Sequence, residues 1–72
     1  MMNKLMPEFT EIRLKLYQNQ RILIENYRKL KDLSEDMIVV DNYCITGTFL
    51  KITKMNDFTM EIYGKIKEII VI

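Results

Sequence analysis

Along most of this chain apolar residues alternate with polar ones, and no alanine interrupts the pattern. The alternation is clearest in EIRLKLY, where Ile12, Leu14 and Leu16 point to one side and Arg13, Lys15 and Tyr17 to the other. A period of two places alternate side chains on opposite faces of a strand. The same grammar returns in RILIENY (21–27), in YCITGTFLKITK (43–54) and in FTMEIYGKIKEIIVI (58–72). Alanine is the strongest helix former, whereas the abundant Ile, Val, Thr, Tyr and Phe suit a pleated, half-buried surface. The fold class expected is therefore all-β. Residues 4–18 carry a second reading as a helix, because Leu5, Phe9, Ile12 and Leu16 also fall at helical spacing and Pro7 suits a first helical turn. The alternation favours the strand.

Turn signals divide the pattern. QNQ (18–20), Ser34–Glu35–Asp36, DNY (41–43) and MND (55–57) each follow an apolar run. Leu30 and Leu33 read as a short strand or bend, and MIVV (37–40) as a strand covered on both faces. In the fifth run Ile45 and Phe49 share one register while Leu50 and Ile52 share the other, so the parity changes near Gly47. An isolated glycine at a change of face marks a bulge or sharp bend, and Gly64 is a second candidate. Around it Phe58, Met60, Ile62 and Ile66 alternate with Thr59, Glu61, Tyr63 and Lys65. Met37, Met55 and Met60 are expected to fill the core, and residues 1–9 to form a mobile N-terminal segment. The sum is one domain over residues 1–72 with six or seven short strands: a meander closed as a barrel or folded as a sandwich, with a β-solenoid as the second architecture.

A chain of 72 residues buries a thin core and usually needs a staple. One cysteine, Cys44, excludes an internal disulfide, and the absence of histidine excludes the common zinc sets and the commonest general base. Cys44 has no histidine to activate it and reads as a buried, inert thiol. No metal and no cofactor is expected. Glu25 and Glu61 would do acid–base chemistry only if they shared a site, and on half-exposed strands they read as solvent-facing. The two glycines are too far apart for a phosphate loop. Eleven Lys and Arg stand against ten Asp and Glu, and the basic clusters RKLK (28–31) and KIK (65–67) are flanked by acids, so nucleic acid is not expected as a partner. The rival reading is a small barrel that stacks bases on Tyr27, Tyr43 and Tyr63. No run approaches the roughly 18 apolar residues of a spanning helix, and a cytoplasmic location is the default.

Two stretches carry structural rather than chemical expectations. In RILIENY a strand ends abruptly at Glu25–Asn26, which reads as a tight corner: Asn26 would bond backbone two residues on, and Glu25 would accept backbone N–H groups or pair with Arg28 or a cross-strand lysine. The final EIIVI has Ile69 and Val71 on one face and Ile70 and Ile72 on the other, so both faces are apolar. A thin core covers one face of such a strand with ease and two with difficulty, which marks Ile69, Ile70, Val71 and Ile72 as a contact surface for a second copy or a protein partner.

Four blocks in order, Ile22–Tyr27 (ILIENY), MIVV, then Ile45–Gly47–Leu50–Ile52, then Ile62–Gly64–Ile66–Ile69, resemble the YabP/YqfC family of sporulation proteins. The likeness runs from about residue 10 to the end. It departs in the turn before the third block, where the family has glycine and this chain has DNYCI, with Asn42 as the residue able to take a positive φ. The resemblance implies a small β-rich protein of endospore-forming bacteria with no enzyme activity and no cofactor. It also implies a structural or assembly role in spore formation through protein–protein contact, with a membrane-bound partner and no small-molecule substrate.

Overall fold

The computed structural model describes residues 11–72, and the expectations for residues 1–9 lie outside them. Six strands follow one another: β1 (Arg13–Tyr17), β2 (Arg21–Glu25), β3 (Leu30–Leu33), β4 (Met37–Val40), β5 (Tyr43–Met55) and β6 (Thr59–Val71). All pair antiparallel in one sheet ordered β1-β2-β6-β5-β4-β3, with no helix among the described residues. Of the alternating stretch, Arg13–Tyr17 is thus a strand. The sheet is not closed: β1 and β3 stand at its two ends. A pure meander would also be ordered by sequence. Here only β3 to β6 run as a meander, and β2 leaves it to pair with the first half of β6.

This order follows from the lengths of the strands. β5 and β6 are each 13 residues, far longer than the short strands the turn spacing suggested. Their outer partners use only half of that length each. β2 pairs with 59–63 of β6, and β4 pairs with 43–46 of β5. Between the halves the β5–β6 register shifts at Thr46/Gly47 and Thr48/Lys51, and it shifts once more at Ile52/Lys54 within the half that β2 joins. Bulges of this kind bend a strand and increase its twist.

The glycines are required at this bend. A Cβ on Gly47 would sit 2.1 Å from the Lys65 carbonyl oxygen, and one on Gly64 would sit 2.8 Å from that of Phe49. Gly64 also has φ +147°, a conformation that side chains disfavour. Phe49 itself takes φ 56° inside the bulge. That displaces its ring outward, to 75% exposure, while Leu50 turns in and is buried. The change of parity therefore falls at Phe49–Leu50, and Phe49 does not share the face of Ile45.

The bend lets one sheet cover its own apolar face. Ile22, Ile24, Met60 and Ile62 from one half form a single cluster with Ile38, Val40 and Ile45 from the other, with Leu50 and Ile66 beside the bend. Burying each such side chain contributes about 1.5–3 kcal/mol, so a domain this small depends on a handful of them. Ile12, Leu14, Leu30, Ile52 and Ile69 pack around the cluster. Of the three methionines expected in the core only Met60 is buried there; Met37 lies outside the cluster, and Met55, like Phe58 across the β5–β6 turn, is exposed, at 50% and 68%. The turn is closed instead by Asn56, whose side-chain oxygen accepts from the N–H groups of Phe58 and Thr59.

Replacing Gly47 by Ala is expected to cost about 2–4 kcal/mol, because the only relief is to part β5 from β6. Gly64→Ala is expected to cost about 1–3 kcal/mol through its backbone conformation. Thr48→Ala, exposed between them, should stay within about 0.5 kcal/mol of the parent. Urea unfolding midpoints measure all three.

Candidate functional site

The strand end at Glu25–Asn26 forms a corner. Asn26 has φ 64°, which an asparagine tolerates better than most side chains, and its N–H donates to the Phe58 carbonyl at 2.7 Å. Its side-chain amide does not bond its own following backbone; it reaches 3.0 Å to the Glu11 carbonyl and ties the start of β1 to the end of β2. Glu25 pairs with Lys15 of the neighbouring strand at 3.6 Å, an ion pair beyond hydrogen-bonding reach. The four residues that follow span the two halves of the sheet. The Tyr27 hydroxyl donates to the Asn56 carbonyl in the β5–β6 turn at 2.6 Å. Directly after it, the Arg28 and Lys29 N–H groups donate to the Asp41 carboxylate in the β4–β5 turn, and the Asp41 N–H returns a bond to the Lys29 carbonyl. Asp41 carries the positive φ of that turn, at 51°, one residue before the asparagine expected to do so.

The end of β6 has a neighbour on one side only. The Gly64 and Ile66 N–H groups still donate to Gln20 and Asn19, but from Lys67 to Val71 no described strand pairs with the edge that faces away from β5. Ile69 packs against the core, whereas Ile70, Val71 and Ile72 are 44%, 70% and 72% exposed. On the outward face Ile70 lies opposite Cys44, which lies opposite Val39, so an apolar row crosses three strands. Cys44 is half-buried in that row rather than enclosed. An open groove of about 440 Å³ separates Val71 and Tyr43 from Ile12 at the start of β1.

The other half presents a different outward face, which periodicity alone did not assemble. Tyr17, Arg21, Tyr63 and Lys51 are directly opposite one another on four adjacent strands. The Arg21 guanidinium lies 4.2 Å over the Tyr17 ring and 6.0 Å from the centre of the Tyr63 ring. It also donates to Glu61 at 3.1 Å. Glu61 is the one buried charged residue among those described, and Thr53 donates to its carboxylate from the other side at 3.4 Å. Burial draws the Arg21 pKa down, but Tyr63 and Glu61 together raise it above its ordinary value, so the guanidinium stays charged. The hairpin that brings Tyr17 onto Arg21 turns through Gln18 and Asn19, both at positive φ, and QNQ was the available signal for it.

This placement bears on each chemical candidate. Glu25 and Glu61 share the outward face of the same half, yet Lys15 holds one and Arg21 the other. Tyr27 is buried in the core and offers no ring face to a ligand, while Tyr43 and Tyr63 sit in opposite halves of the sheet. Among the described residues no three His, Cys, Asp or Glu side chains gather as metal ligands, and no helix is long and apolar enough to cross a membrane. Compared with models of known families, with curated proteins and with solved structures, the chain matches none.

Arg21→Leu leaves the Glu61 carboxylate half-satisfied in a buried position and is expected to lower the unfolding midpoint. Adding Glu61→Leu should recover most of that loss, because two apolar neighbours replace the pair. Urea denaturation of the single and double variants measures the difference.

Proposed function

We propose that this chain is a non-enzymatic contact module that acts in spore formation as a structural or assembly factor. The observation that carries the contact reading is the second half of β6: a strand edge without a partner, with Ile70, Val71 and Ile72 exposed beside it. An apolar strand with an open edge can gain backbone hydrogen bonds and bury side chains in one step by pairing with another strand. The occupant proposed is a second copy of the chain or the sheet edge of a protein partner, and the partner carries any attachment to a membrane. The sporulation role and the cytoplasmic location within the sporulating cell rest on the four ordered blocks from Ile22 to Ile69. The fold is read as a sandwich made by bending one sheet, a reading supported by a core drawn from both halves.

At micromolar concentration the chain should sediment as a dimer or larger species. Ile70→Lys and Val71→Lys, both at exposed positions, should each give a folded monomer. A parent chain that sediments strictly as a monomer and retains no protein from sporulating cells would defeat the contact reading. Normal numbers of heat-resistant spores after deletion of the gene would defeat the sporulation role and leave the contact reading to its own test.

A further inference from the structure

The near-neutral charge of the chain conceals an asymmetry between its two outward faces. On the β1-β2-β6-β5 half the outward positions hold five basic side chains, Arg13, Lys15, Arg21, Lys51 and Lys54, against two carboxylates, Glu25 and Glu61. Both carboxylates are already neutralised, by Lys15 and Arg21. Among the described residues Arg13, Lys51 and Lys54 pair with no carboxylate, and all three are exposed. The outward face of the other half is the apolar row of Val39, Cys44 and Ile70, flanked by Glu68. With five cations against two carboxylates, this face therefore carries an excess of three positive charges.

That face also exposes two aromatic rings. Tyr17 and Tyr63 are 40% and 39% exposed, two strand spacings apart, which is about 10 Å. Arg21 lies between them, stacked on Tyr17 and anchored by Glu61, so the platform is held in place. A polyanion without rings, such as an acidic protein tail, would be met by the lysines alone. Exposed rings flanked by unpaired cations match a ligand that alternates phosphates with flat, unpaired bases.

We propose that the outward face built on Tyr17, Arg21 and Tyr63 binds single-stranded nucleic acid, with bases stacked on the two tyrosines and phosphates met by Arg13, Lys51 and Lys54. Sequence selectivity is not expected, because stacking accepts every base. This surface is separate from the β6 edge, so the proposal stands or falls independently of the contact reading.

The test is fluorescence anisotropy with labelled oligo-dT and oligo-rU of about 15 nucleotides, a length that exceeds most single-domain sites. Both should bind, and raising the salt from about 50 mM to about 200 mM should weaken binding about 20-fold, as expected for three phosphate contacts to a single strand. Tyr17→Ala and Tyr63→Ala should each weaken binding about tenfold, while Tyr63→Phe, which keeps the ring, should bind as the parent does. Lys51→Gln with Lys54→Gln, at exposed positions that do not carry the fold, should weaken binding and flatten its salt dependence. Preference for one of the two oligomers would name DNA or RNA as the ligand. No binding at low salt would overturn the proposal. So would equal binding of polyglutamate or of anionic phospholipid vesicles with no effect of either Tyr→Ala change, since that pattern needs charge alone.

Discussion

One sheet with one apolar face has to cover that face with itself, and everything else in this protein follows from where it bends. The bend lies in the β5–β6 hairpin, where the Gly47 backbone meets the Lys65 carbonyl and Gly64 meets Phe49 and Leu50 at distances that leave no room for a Cβ. Two register shifts fall there, at Thr46/Gly47 and Thr48/Lys51. Without them a pair of 13-residue strands would be a twisted ribbon, with Ile45 and Ile62 on one continuous apolar surface open to water. With them the two halves contribute to one buried cluster, and a chain with neither disulfide nor histidine obtains a core.

The same bend sets the surfaces. Each long strand serves as an inner strand over half its length and as an edge over the other half, because β2 and β4 each cover only one half. The open edge of β6 is a direct consequence of β2 being five residues long. The corner at Asn26 then carries the chain from one half to the other, fastened by Tyr27 to one turn and by Asp41 to another. At the corner itself the Asn26 amide donates to Glu11 and Glu25 faces Lys15. Its carboxylate and amide therefore hold strands together, and the exposed chemistry of the molecule lies on the sheet faces and the β6 edge.

Much of this was legible in the residues. Period-two alternation and the lack of alanine pointed to β structure, the turn residues located each reversal, and the glycines marked the bend. These are local properties, in which a side chain's face and a turn's backbone conformation depend on a few neighbours. Phe49 shows where local reading stops. Counting by twos from Ile45 places it in the core, but one bulged residue reverses every later face, and the position of that residue is decided by how β5 meets β6 across the bend. Met55 departs from expectation for a related reason: it stands at the end of β5, beside the turn, where its side chain is exposed.

The sequence by itself determined the strands, most of their inward residues and the absence of a staple, since period, propensity and composition are written residue by residue. The tertiary structure decided which strands are neighbours. Pairing β2 with β6, 34 or more residues later, is what sets Tyr17, Arg21 and Tyr63 in one row and Glu61 beneath Arg21. No periodicity encodes that row, because it depends on registers between strands far apart in the chain. The near-even balance of charge is likewise a sum over the chain, whereas the local excess of cations around Tyr17 and Tyr63 arises only from the registers that set Arg13, Lys51 and Lys54 on the same face.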